Sequence, residues 1–266
     1  MALWSSRAAL DARPAPRRYH ASRGTGAAMH EALTVERDGG IATFTITRPR
    51  VNALSLDLLE SFAEELHRAA DDPEIVVAVW RSGLPNIFSG GYDLADSGPS
   101  PAHHMPGERT VRVRNAQTAL LDIPIPIVVA VNGPAVGLGL LMPALCDIVV
   151  AGRSARFGLP EVQIGAIGGA GHARRILPEP VLRYMMLTGR RVTPEYLQQC
   201  GAISLVVEDD QLEAETMAIA REIASYDPVV VRNNKISLEM LRGVDDVATV
   251  YAIEHKWGAA IRASRE

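Results

Sequence analysis

From Leu33 onward, apolar and polar positions fall into regular runs. Leu33–Arg37 and Ile41–Thr47 are short β-type runs separated by Asp38-Gly39-Gly40, a pattern that predicts a hairpin. Arg48-Pro49-Arg50 ends the second run. Leu54, Leu58, Leu59, Phe62, Leu66 and Ala69 then recur at helical spacing, with Ser55 as N-cap and Asp71-Asp72-Pro73 as the stop. Ile75–Trp80 is apolar throughout, as expected for a strand buried on both faces. Residues 82–107 are rich in Gly, Pro and Ser and read as a long loop, a class that is often functional. A helix is expected at about 108–121, then a buried strand at Ile125–Val131. A glycine turn at Gly137 and Gly139 leads to a short helix ending near Leu145. Asp147–Ala151 is another buried strand, 153–178 is loop-like, and helices follow at about 179–188, 194–200, 210–225, 228–242 and 245–262. Strand-helix-strand repetition implies parallel pairing, so the predicted class is α/β.

Composition narrows the function classes. The chain has 266 residues and a net charge of −4, which gives no reason to expect a nucleic-acid partner. No run of 18 apolar residues is present, so no membrane-spanning helix is expected. Two cysteines, Cys146 and Cys200, exclude a disulfide scaffold and a cysteine-based zinc site. The charge is unevenly spread. Residues 1–28 carry five arginines against Asp11 alone, a charge of +4, and leave −8 on the rest. That segment reads either as a disordered extension before Met29 or as an organellar presequence. The first reading places the protein in the cytoplasm and the second in mitochondria.

Two glycine turns follow buried strands: Phe88-Ser89-Gly90-Gly91-Tyr92-Asp93 and Asn132-Gly133-Pro134-Ala135-Val136-Gly137-Leu138-Gly139. Glycine allows positive φ and a close backbone approach, and a turn that opens a helix presents N–H groups and the positive end of a dipole. Such groups can hold a phosphate or the oxyanion of a polarised carbonyl. Neither turn is a P-loop or a G-x-G-x-x-G fingerprint. On spacing alone, an oxyanion site and plain structural turns both stand.

Together these segments resemble the crotonase superfamily, the enoyl-CoA hydratase/isomerase family. The matching stretches are Arg48-Pro49-Arg50-Val51-Asn52-Ala53-Leu54, Phe88–Leu94, Ala130-Val131-Asn132-Gly133, Cys146-Asp147, Phe157-Gly158-Leu159-Pro160-Glu161-Val162 and Leu187-Thr188-Gly189-Arg190-Arg191. The resemblance covers about Ala32 to Arg262 and implies a ββα spiral core over 29–200 and a helical, trimerising region over 201–266. It implies an acyl-CoA substrate, with coenzyme A part of the substrate and no separate cofactor. It implies a homotrimer or hexamer. Most family members run on past the last helix, so the end at Glu266 puts the usual CoA-lid and trimer contacts in doubt. Carried over by motif, the two backbone donors to the thioester oxygen are the amides of Tyr92 and Leu138, and Gly91, Gly137, Gly169 and Leu141 line the pocket.

Glu161, in Leu159-Pro160-Glu161, is the candidate proton carrier. A lone Glu would ordinarily be a surface carboxylate, and the motif reverses that reading. Family hydratases carry a second Glu at the position of Leu141, so simple hydration loses support here. His172 stands where such hydratases have Gly, and the stretch from Gly158 to Glu213 is similar to a bacterial steroid-ring CoA hydrolase type. His172 either handles a proton or water, or caps a helix. Arg48 and Arg50 either meet CoA phosphates or are solvated charges. His103-His104 has no spaced third ligand, so no metal is expected. Three functions follow: an acyl-CoA enzyme working through a thioester enolate, a C–C hydrolase of a cyclic β-diketone with or without CoA, and an inactive scaffold subunit.

Overall fold

The computed structural model describes residues 29–97 and 107–263. The arginine-rich residues 1–28 and His103-His104 lie outside them. The strands are β1 (Leu33–Asp38), β2 (Ile41–Ile46), β3 (Val77–Ser82), β4 (Ile127–Val131), β5 (Pro134–Val136), β6 (Ile148–Gly152), β7 (Arg156–Gly158), β8 (Arg191–Val192) and β9 (Leu205–Val207). The helices are α1 (Leu56–Asp71), α2 (Gly107–Asp122), α3 (Leu138–Leu141), α4 (Ala170–Ala173), α5 (Glu179–Thr188), α6 (Pro194–Gln199), α7 (Leu212–Ala224), α8 (Pro228–Leu241) and α9 (Val247–Ala263). The expected α/β class is the observed one.

β1 and β2 form the expected hairpin, closing at Asp38 opposite Ile41. The main sheet runs β1-β2-β3-β4-β6-β9, parallel beyond the hairpin. β3 lies two residues later than its apolar run suggests, because Ile75 and Val76 lead into the sheet rather than pair within it. Alternation along β3 sends Ala78 and Trp80 to one face and Val77 and Val79 to the other. The first face carries the larger core, roofed by α1 and α2, and the second is covered by α7. In the larger core an aromatic file runs Phe44–Phe62–Trp80–Phe88, with ring centroids 5.5, 5.1 and 4.9 Å apart. It anchors Phe88 and the start of the first glycine turn.

A second sheet, β5-β7-β8, was not visible in the pattern of apolar positions. Its strands are two or three residues long and lie inside segments read as turns and loops. The 153–178 stretch is also more ordered than expected: it holds β7, a 3₁₀ turn at Glu161–Ile164, and α4. In the last third, β9 joins the edge of the main sheet before the helices α7 to α9.

Helix ends are satisfied locally. The hydroxyl of Ser55 accepts the N–H of Leu58. At the other end of α1, Arg232 on α8 donates to the carbonyls of Ala70, Asp72 and Ile75, each at 2.7 Å. Lys235, almost fully buried, donates to Asp147 Oδ1 at 2.6 Å, while Asp147 Oδ2 accepts the N–H of Ile127. These contacts fasten the C-terminal helices to the sheet.

Phe62 is 1% exposed at the centre of the aromatic file. Phe62→Ala should cost about 3–5 kcal/mol, read as a lower urea midpoint at unchanged slope. An unchanged midpoint would show that the file does not hold the core.

Candidate active site

The two glycine turns meet backbone to backbone. Phe88 and Ser89 donate their N–H groups to the carbonyl of Pro134, and Ser89 O accepts the N–H of Val136 at 3.0 Å. A Cβ on Gly91 would fall 2.6 Å from Val136 O and 3.4 Å from Leu138 N. A Cβ on Gly139 would fall 2.5 Å from Ser89 O. Gly91 has φ +97° and Gly137 φ +53°, so both positions favour glycine for conformation, and Gly91 needs it for space as well. Leu138 opens α3, where N–H groups have no acceptor within the helix.

On its other side the first turn is stitched to residues 51–54. Gly90 donates to Val51 O, Leu54 donates to Gly91 O at 2.8 Å, and Asp93 donates to Leu54 O. A trans peptide sets its N–H opposite its C=O. Since Gly91 O faces Leu54, the N–H of Tyr92 is directed away from Leu54.

Asn52 holds this arrangement and was quoted in the sequence only as part of a motif. It is wholly buried with φ +46°. Its Nδ2 donates to Ile46 O, Ser82 Oγ and Phe88 O, and its Oδ1 accepts the N–H of Arg48 at 2.6 Å. Its burial and its bonds exist only in the fold; in the sequence Asn52 is one polar residue in a turn before a helix.

Glu161 begins the 3₁₀ turn after β7, behind the buried Phe157 and Leu159. Its Oε1 lies where a Cβ of Gly137 would be only 3.0 Å away, so the carboxyl rests on the second glycine turn. Its Oε2 is buried with no hydrogen-bond partner. Burial pushes the carboxyl above the usual glutamate value, and a backbone hydrogen bond opposes the shift. Leu141 is buried, and its side chain packs directly on Gly169, the φ +79° residue before α4. His172 lies on α4, half-buried; burial first, then the charge of Arg175, lowers its pKa. It does not cap a helix: Gly169 precedes α4 and Pro178 precedes α5.

The structure therefore gathers Gly91, Leu138, Gly137 and Glu161 in one place and sets Leu141 on Gly169 beside it. Arg48 is engaged elsewhere, in a 2.7 Å ion pair with Asp93 and a bond to Ala53 O. Arg50 is exposed, with φ +74°. The phenol of Tyr92 donates to Asp96, which also accepts the N–H of Leu56. Cys146 is buried, its thiol pushed well above the ordinary range by burial, which suits a core residue rather than a nucleophile. Among the described residues no group of three His, Cys, Asp or Glu could hold a metal. A cavity of about 170 Å³ lies elsewhere, under α7 on the second face of the sheet. Its charged walls are already engaged, Arg81 with Glu213 and Asp209 with the N–H of Ser154.

Residues 36–257 match the family model for enoyl-CoA hydratase/isomerase. The chain belongs to this family. Over 225 residues it is 33% identical to a (7aS)-7a-methyl-1,5-dioxo-2,3,5,6,7,7a-hexahydro-1H-indene-carboxyl-CoA hydrolase of Rhodococcus jostii, covering 84% of this chain and 86% of that one. It is 34% identical over 211 residues to the mitochondrial enoyl-CoA hydratase domain-containing protein 3 of Danio rerio, covering 76% and 71%. A solved enoyl-CoA hydratase of Mycobacterium smegmatis superposes with a TM-score of 0.81 at 25% identity, covering 87% and 91%. The chain is thus a crotonase-family enzyme acting on acyl-CoA. The match spans both glycine turns, Glu161 and the helices through most of α9.

The raised carboxyl pKa of Glu161 has a signed consequence for stability. Between its unfolded and folded pKa values the folded state holds a proton that the unfolded chain has lost. Stability from this group is therefore present at low pH and lost as pH rises through the folded pKa. Glu161→Gln does not titrate, so its stability relative to the parent should increase with pH across that window and then level off. Urea midpoints over a pH series check this; a difference constant with pH would contradict the burial described here.

Proposed function

We propose that the protein moves a proton at an acyl-CoA thioester through an enolate, with Glu161 as the proton carrier. One observation carries the reading. Glu161 Oε2 is buried and unpartnered on the glycine turn that presents Leu138, and a leucine stands where a second carboxylate would be needed to activate water. The amides of Tyr92 and Leu138 are the proposed donors to the thioester oxygen. Two such donors stabilise an enolate, and losing one typically costs about 10²–10³ in rate. Gly91, Gly137, Leu141 and Gly169 shape the pocket. Arg50 is the arginine left open to a CoA phosphate, while Arg48 braces the loop through Asp93. Coenzyme A enters as part of the substrate, and the reading invokes no separate cofactor.

A second reading is hydrolytic cleavage of a C–C bond between two carbonyls of a cyclic CoA ester, with His172 assisting. The identity to the Rhodococcus jostii hydrolase favours it, since that protein is named for a dioxo-indene-carboxyl-CoA. Both readings need Glu161. The protein should be incubated with crotonyl-CoA and with β-keto and ring-bearing CoA esters, and the products weighed by mass spectrometry. Glu161→Gln should lower turnover by about 10²–10⁴. Turnover that survives it would sink the assignment, and absence of any turnover would favour a scaffold. His172→Ala should slow ring-ester cleavage but not proton exchange on simple thioesters.

The proposed assembly is a homotrimer or hexamer. Leu238 on α8 and Val247 and Tyr251 on α9 are 60%, 63% and 59% exposed, and α9 packs chiefly on α8. Light scattering on the purified chain should give three or six protomers; a monomer would contradict this.

A further inference from the structure

We infer that Ser89 is a positioning residue that aims the Tyr92 amide at the thioester oxygen; the inference rests on the acyl-CoA reading above. Ser89 is 1% exposed and uses every polar group it has. Its N–H goes to Pro134 O and its carbonyl to Val136 N, both on the β5 segment that leads to Leu138. Its hydroxyl donates to Asn52 O at 2.7 Å and accepts the N–H of Gly91 at 3.1 Å. One side chain thus ties the Asn52 turn to the residue immediately before the proposed donor.

The peptide geometry shows why that tie matters. The Tyr92 N–H belongs to the peptide plane that carries Gly91 O, and that carbonyl is held by Leu54. Two torsions of Gly91 set the tilt of the plane, and glycine restrains neither of them. The Ser89 hydroxyl fixes the amide on one side of Gly91 and Leu54 fixes the carbonyl on the other. Without the hydroxyl, Gly91 keeps its left-handed freedom and loses one of its two anchors. A hydroxyl bonded to the N–H two residues on is a local turn device, here placed beside the site. Asn52 is too deeply engaged to test alone, since its side chain makes four hydrogen bonds. Ser89→Ala removes one oxygen and leaves the backbone contacts to β5 in place.

The probe is butyryl-CoA labelled with carbon-13 at the thioester carbonyl, a saturated ester that cannot be hydrated. Isotope-edited infrared spectra of the bound ester report polarisation of the carbonyl, and titration gives its Kd. In the parent protein the carbonyl stretch should fall on binding. Ser89→Ala should lose much of that fall, and turnover of whichever ester the parent processes should drop roughly three- to tenfold, the loss of one hydrogen bond. Kd should change by less than the turnover. Ser89→Cys, which keeps a weak acceptor, should lie between, and it serves if the Ala variant does not fold. A merely structural serine would lower the melting temperature without changing the carbonyl stretch. A Ser89→Ala protein with the parent's full shift and turnover overturns the positioning role alone. A parent protein that binds butyryl-CoA without any shift, or binds neither it nor a ring-bearing CoA ester, overturns the acyl-CoA reading itself.

Discussion

Two backbones can lie against each other only where no Cβ stands between them. That constraint organises this molecule around Gly91 and Gly139. Each glycine faces the other turn at a distance a methyl group would close. The contact brings the end of the loop after β3 to the start of α3, which the main sheet alone would not do. The short second sheet follows from the same contact. β5 pairs with the Ser89 segment on one side through a single bridge and with β7 on the other, and β7 delivers Glu161 to Gly137. Backbone hydrogen bonds, rather than side-chain packing, therefore set the relation between the two glycine turns and the carboxyl of Glu161.

The interior behind the site is arranged to keep that contact from moving. Asn52 gathers the ends of β2 and β3 and the carbonyl of Phe88 into one buried cluster. The aromatic file fixes Phe88 from the core side. Buried polar clusters are costly when incomplete and rigid when complete. Asn52 is complete, and so is Ser89. Glu161 Oε2 differs from both, buried without a partner, as is Asn132 Oδ1 at the start of the second glycine turn. Desolvation there raises the energy of the charged form, and the fold bears that cost in stability at pH values where the carboxyl ionises.

What was legible in the sequence depended on length and repetition. The hairpin, α1 and the long C-terminal helices each carry enough apolar positions to show a pattern, and β4 an unbroken apolar run. β5, β7 and β8 do not, because two or three residues held by neighbouring backbone leave no alternation to read. The boundaries of β3 moved because an apolar run records burial, and Ile75 and Val76 are buried without being paired in the sheet. Glu161 was visible through its motif, and its isolation was not, since a missing partner has no letter in a sequence. Arg48 shows the reverse. Its charge suggested a phosphate, and its partner Asp93, 45 residues on, became evident only when the turn folded back.

Under the proposed function, the chemistry turns on two departures from a two-carboxylate site. Leu141 is apolar and seated on Gly169, four residues on from the Gly137 that the Glu161 carboxyl rests on. His172 supplies the other titratable group on the neighbouring short helix, which packs on α3. Burial acts on the two in opposite senses. It raises the carboxyl from an ordinary value of 4.5 and lowers the imidazole from 6.5. Each shift favours the neutral form of its group. Leu141 packed on Gly169 is thus apolar surface on the second glycine turn, and burial in this part of the fold holds a carboxyl and an imidazole alike towards their neutral forms.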